Sequence, residues 1–242
     1  MQKLLKILYQ PYKWLVLVPI IFIDTVIFGT LTIPLALISK KLAHYVSGCF
    51  WSRLNGTLTP IFVKVHGREN MKKKQSYVII ANHQSSYDIF VLYGWLWIDF
   101  KWVMKKELEK VPGLGWGSKV VGHIFIDRRD RKAALKTMKE AREKVKNGTS
   151  VIFFPEGTRS ETSEMLPFKK GAFKFAYDLN LPVLPITING TDKILPSDTW
   201  DLMPGRAEIV IHPPIDINEY PEEKIQDLMD RSREVIDSVR VI

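Results

Sequence analysis

The sequence predicts an α/β protein: a largely parallel central sheet covered by helices, behind an N-terminal segment of two apolar helices. Three observations predict it. From residue 60 onward, short β-rich runs alternate with stretches of helical periodicity. Two of the runs, "YVII" and "VIFF", are continuously apolar, as strands covered on both faces are. Before them, Trp14–Ile38 carries a single charge.

That first segment is long enough to span a bilayer, which takes about 20 apolar residues. It does not read as a simple span. Asp24 sits in the middle, where a charge is costly. Pro19, Gly29 and Pro34 are expected to break or bend a helix. Lys3, Lys6 and Lys13 precede it and Lys40 and Lys41 follow it, so neither end is favoured outside. In the next stretch Leu42, Tyr45, Val46, Cys49, Phe50 and Leu54 recur at helical spacing, and Asn55-Gly56 is a C-cap. His44 falls on the polar side and reads as solvated. Residues 1–57 therefore read as a membrane-associated helical hairpin, monotopic on the cytoplasmic face, and 58–242 as the α/β domain. The competing reading is a buried pair of core helices; length and apolarity favour the membrane.

Charge agrees with this division. The net charge is +9, and residues 1–60 hold six Lys and Arg against one acid. A basic, apolar, acid-poor segment suits an anionic membrane surface. No basic stripe with interleaved aromatics accompanies it, so no nucleic acid partner is expected. The single cysteine, Cys49, excludes an internal disulfide and a cysteine-rich metal site, and it reads as packing on an apolar face.

In the α/β domain the strands are "FVKVHG", "SYVIIAN", "FKWVM", "HIFID", "SVIFFPEG", "PVLPITI" and "AEIVIH". Helices are expected over 88–97, 105–110, 131–146 and 169–180, with a surface helix in 222–242. Sites in open α/β sheets form at the carboxyl ends of strands. "NHQSSYD", "DRRD" and "PEGTRS" all occupy that position.

In "NHQSSYD", His83 and Asp88 would point about 140° apart on one continuous helix. They meet if 83–86 form a turn and Asp88 opens the next helix, with Ser85 or Ser86 as its cap. Asp88 then fixes the tautomer of His83 and leaves one ring nitrogen as a base. Such a pair suits an external hydroxyl or thiol. A serine nucleophile fits poorly, because Ser85 and Ser86 are too close in sequence to reach the free nitrogen and no GxSxG elbow occurs. Taken alone, the pair could equally be a structural cap. His66, His123 and His212 lack metal-ligand spacing, and no metal or cofactor is expected. Gly157 allows close backbone approach, and Arg159 offers a planar fork for phosphate or carboxylate. Arg128, Arg129, Lys105 and Lys106 add cations at neighbouring strand ends, so an anionic substrate is expected.

Four ordered blocks resemble the 1-acylglycerol-3-phosphate acyltransferase (lysophosphatidic acid acyltransferase) family: "NHQSSYD" as NHxxxxD, then "GHIFIDR", "FPEGTRS" and "VLPITI", within residues 60–215. The resemblance implies acyl transfer from acyl-acyl-carrier-protein or acyl-CoA to the 2-hydroxyl of lysophosphatidic acid. It implies His83 as the catalytic base and Asp88 as its orienter. It places Arg128, Glu156, Gly157, Thr158 and Arg159 around the glycerophosphate, and Lys105, at a neighbouring strand end, is expected to help bind its phosphate. An acyltransferase for another acceptor, glycerol 3-phosphate or a different lysophospholipid, is the alternative, followed by a non-catalytic lipid-binding protein. "DIFVLYGWLW" and "PGLGWGSKVVG" are apolar enough to line an acyl tunnel, although packing explains each residue singly.

Overall fold

The computed structural model describes residues 2–241 apart from 112–113, 128, 146 and 161–163. The N-terminal helices are α1 (Gln2–Tyr12), a wide π turn (Lys13–Leu17), α2 (Val18–Ile38), α3 (Lys40–Ala43), a second π turn (His44–Phe50) and α4 (Trp51–Leu58). They form two rods that meet at Ser39, whose backbone is extended and whose hydroxyl accepts from Leu42 N–H at 3.3 Å. The expected breaks at Pro19 and Pro34 do not occur, and both prolines lie in helix. The π turn directly before Pro19 relaxes the bonding pattern where the proline lacks a donor.

Lys6–Ile38 is a helix of 33 residues, long and apolar enough to cross a membrane. Leu15, Phe22 and Leu37 on it are exposed. Asp24 is buried instead, and its carboxylate accepts from Trp51 Nε1 (3.1 Å) and Asn55 Nδ2 (3.3 Å) on the second rod. The mid-segment charge is thus turned inward and joins the rods. His44 also differs from the sequence reading. It is 1% exposed, and its Nε2 meets the Ile98 carbonyl at 3.0 Å, because this face of the rod packs on the α/β unit rather than on solvent. Cys49 is buried in the same interface.

The described residues form one seven-stranded sheet from β1 (Ile61–His66), β2 (Val78–Ala81), β3 (Phe100–Lys105), β4 (Ile124–Ile126), β5 (Ser150–Phe153), β6 (Val183–Asn189) and β7 (Gly205–Ile211). Their order is β1-β7-β6-β2-β5-β3-β4. All pairs are parallel except β6 with β7, so β1 and β7 run against the other five. The helices are α5 (Asp88–Leu96), α6 (Leu114–Val121), α7 (Arg131–Ala141), α8 (Gly171–Leu179), the short α9 (Thr191–Ile194) and α10 (Ile225–Asp237).

Alternation within the strands makes two cores. Ile79, Ile152, Leu184 and Ile186 face α5 and the N-terminal rods. Val78, Ile80, Val151 and Val183 face Phe173, Phe175 and Leu228 of α8 and α10. Every residue of β2 and β5 is buried, which is why both read as unbroken apolar runs. β2 lies between β5 and β6, so the turns after these three strands open side by side.

Candidate active site

The turn after β2 begins with an amide that prolongs the sheet. Asn82 is fully buried; its Nδ2 donates to Ile188 O (2.9 Å) and its Oδ1 accepts from Ile188 N–H (2.8 Å). The side chain completes the ladder to β6 where the backbone leaves it. His83 follows, at the mouth of the turn.

His83 Nδ1 lies 2.8 Å from Asp88 Oδ2. The same oxygen accepts from the backbone N–H groups of Gln84 (2.9 Å) and Ser85 (3.0 Å), and Oδ1 accepts from the hydroxyl of Thr191. Asp88 is fully buried in the first turn of α5. Four donors on one carboxylate define its position, and the contact assigns the ring proton to Nδ1, leaving Nε2 as the acceptor. Phe154 stacks on the other side of the ring, with centroids 3.8 Å apart and planes within 8°. The His83 side chain keeps 15% exposure, so the free nitrogen has an opening.

Neither serine shares that nitrogen. Ser85 is buried, accepts from Tyr87 N–H (3.0 Å) and donates to Leu195 O (2.6 Å). Ser86 Oγ accepts from Arg159 Nη1 at 2.6 Å.

The turn after β5 is stitched to His83 by its backbone. Glu156 Oε1 accepts from His83 N–H (2.8 Å), and Ser160 N–H donates to His83 O (3.0 Å). Glu156 Oε2 accepts from Leu166 N–H (2.8 Å). Glu156 is 2% exposed, so its carboxylate is given to the protein's own backbone and not to open space. Burial pushes this carboxyl up from the ordinary value, opposed by the two backbone donors.

Gly157 has φ +79°, where side chains are rarely tolerated. A Cβ there would also lie 2.6 Å from Lys169 Nζ, so that ammonium sits against the turn. Thr158 is exposed. Arg159 donates to Ser86 and, through Nη2, to Asp198 Oδ1 at 2.7 Å.

Lys105 ends β3, exposed, on the same side of the sheet as these turns. Arg128 lies outside the described residues. The structure thus brings His83, Asp88, Glu156, Gly157 and Arg159 into one cluster and sets Lys105 at the end of the next strand, beside β5 and two strands from β2. Sequence reasoning missed Phe154, Thr191, Lys169 and Asp198. Phe154 opens the quoted "FPEGTRS", Thr191 lies three residues past "VLPITI", and "FKK" and "PSD" carry no spacing that marks them.

A histidine ring held by a buried carboxylate, with neither Ser85 nor Ser86 on its other nitrogen and a cationic turn beside it, suits transfer of an acyl group to an external acceptor. The family whose description is simply Acyltransferase matches residues 62–189, which include every part of this cluster except Asp198 and Thr191. The chain is an acyltransferase. It resembles the 1-acyl-sn-glycerol-3-phosphate acyltransferases of Chlamydomonas reinhardtii (32% identity, over 98% of this chain and 69% of that one) and Saccharomyces cerevisiae (36%, 85% and 69%). The crystal structure of the 1-acyl-sn-glycerophosphate (LPA) acyltransferase PlsC from Thermotoga maritima superposes with a TM-score of 0.80 at 30% identity, covering 98% of this chain and 95% of that one. The chain belongs to the 1-acyl-sn-glycerol-3-phosphate acyltransferase family.

Proposed function

We propose that the protein moves a fatty acyl group from a thioester, acyl-acyl-carrier-protein or acyl-CoA, to the 2-hydroxyl of lysophosphatidic acid, giving phosphatidic acid. The observation that carries this reading is the His83 ring, clamped between Asp88 and Phe154 with Nε2 open. Nε2 takes the proton of the 2-hydroxyl as its oxygen attacks the thioester carbonyl. The tetrahedral adduct collapses, the C–S bond breaks, and the imidazolium returns the proton to the leaving thiolate. Asp88 stabilises that imidazolium through Nδ1. Glu156 serves by positioning, since it binds the backbone of the base itself.

Arg159 is the acceptor-phosphate ligand in this reading, with Lys105, Arg128 and the Gly157–Thr158 backbone as contributors. A guanidinium binds phosphate through two parallel hydrogen bonds, which an ammonium cannot reproduce. Arg159→Lys is therefore expected to lower kcat/KM for lysophosphatidic acid about tenfold or more, while poor turnover of monoacylglycerol barely changes. A mass-spectrometric panel of acceptors and donors with detergent-solubilised enzyme measures both. A proportional loss on the two acceptors would mean that Arg159 only shapes its turn.

In this reading the cavity lined by Phe28, Gly29, Trp51, Tyr93, Leu114 and Val121, between the N-terminal rods, α5 and α6, receives part of the acyl chain. The exposed apolar surface of Lys6–Ile38 supports insertion of the N-terminal rods into the cytoplasmic leaflet, with both lysine groups at its surface. A tag on the N-terminus should then resist protease added outside sealed right-side-out vesicles. Its removal from outside would show a span instead.

A further inference from the structure

The guanidinium of Arg159 already has a carboxylate on it. Nη2 meets Asp198 Oδ1 at 2.7 Å, while Nη1 donates to Ser86. Asp198 belongs to the segment between α9 and β7, which crosses the site and is tied down on both sides. On the catalytic side Ser197 Oγ donates to Gln84 O (2.9 Å) and Ser85 Oγ to Leu195 O (2.6 Å). On the N-terminal side Lys13 Nζ donates to Trp200 O (3.2 Å), and Lys6 pairs with Asp201. Between these ties Asp198 has φ +57°, a conformation that only a few residue types adopt readily, Asn and Asp foremost among the non-glycines. Its side chain is 68% exposed and that of Arg159 31%.

A phosphate monoester is held best by two adjacent N–H groups of a guanidinium. Asp198 holds one N–H of Nη2 and Ser86 one of Nη1, so two of the five donors are engaged and the charge a phosphate would meet is already balanced by a carboxylate. The serine can stay, because a hydroxyl also bonds to a phosphate oxygen. A second anion beside the phosphate is repelled by it, which favours its departure. Asp198 is the partner free to leave, since its carboxylate already reaches water and swinging out strands no buried charge.

We propose that Asp198 is the resident counter-ion of Arg159, an internal competitor displaced by the acceptor phosphate, and so sets the affinity for phosphate-bearing acceptors. This rests on Arg159 as the phosphate ligand. The competent state is the one with Asp198 swung away, and the apparent dissociation constant is the intrinsic one divided by the fraction of molecules in that state. An exposed ion pair reduces that fraction by about two- to fivefold. Every anion at Arg159 meets the same factor, and a neutral acceptor meets none.

The test is Asp198→Asn in the full chain in detergent. Asparagine keeps the size and the positive φ and loses the charge. The KM for lysophosphatidic acid and the inhibition constant of glycerol 3-phosphate are both expected to fall about two- to fivefold, with kcat unchanged and the KM for monoacylglycerol unmoved. In an Arg159→Ala background the same substitution is expected to change neither constant. The opposite role, a carboxylate that stays to aim Arg159, predicts that Asp198→Asn raises both constants. A rise, no change, or a fall shared by monoacylglycerol overturns the proposal. Failure of the Arg159 assignment is read separately, from the acceptor ratio of Arg159→Lys with Asp198 intact.

Discussion

His83→Ala is expected to lower turnover about 10²- to 10⁴-fold, the range that general-base catalysis contributes. The fold should survive, because the imidazole is held by Asp88 and Phe154 at the mouth of the turn and is not part of either core. Asp88→Asn is expected to cost less, but still tenfold or more. Its amide would turn a donor toward a cluster of three donors on the oxygen it replaces, or else force His83 into the other tautomer. The measurement is single-turnover acyl transfer at saturating acceptor, with circular dichroism on both variants. A folded His83→Ala protein with wild-type turnover would remove the histidine from the mechanism.

Glu156→Ala is expected to have the second largest effect. It leaves the N–H groups of His83 and Leu166 without their acceptor inside the protein. An unsatisfied buried donor costs about 1–3 kcal/mol, so together they destabilise by roughly 2–6 kcal/mol. It also unties the base from the turn that carries Arg159, and a misplacement of about 1 Å can cost on the order of 10²-fold in rate. Glu156→Gln keeps one of the two acceptors and should fall about midway. The pH dependence has a definite sign. Burial raises the folded carboxyl above its ordinary 4.5, so the stability tied to this group is present below that value and is lost as pH rises through the raised one. Glu156→Gln cannot ionise, so its urea midpoint should drop less than the wild type's over that rise. An equal drop in both proteins would assign the slope to other groups.

Much of the fold was legible because β2, β5 and β6 are buried on both faces, and a strand with no polar alternation still announces its length between breakers. Direction was not legible. Nothing in "FVKVHG" or "AEIVIH" distinguishes a strand running with the sheet from one running against it, since side-chain alternation is the same both ways. Helix α6 escaped notice because Gly115 and Gly117 weaken its propensity; Gly115 is needed because the Glu109 carbonyl lies where a side chain would stand. His44 was assigned to water because it falls off the apolar stripe of its helix, whereas its neighbours in space are Tyr93 and Phe100. In the site, the His83–Asp88 pair is local and could be argued from five residues. The inward turn of Glu156 and the contacts of Thr191 and Asp198 join positions 39 to 103 residues apart or more distantly placed motifs, which no single-segment pattern encodes.

The pairing of Ile61 with Gly205 has a consequence for the order of assembly. Among the described strands β1 is synthesised first and the partner it needs, β7, last. The intervening strands β2, β3 and β5 can pair among themselves well before then, with shorter loops to close. Until β7 emerges, β1 remains an unpaired ribbon tethered to the N-terminal rods, and the outer edge of β6 stays open as well. The N-terminal helices emerge before β1 and are therefore joined to a sheet that closes beside them only after β7 has emerged.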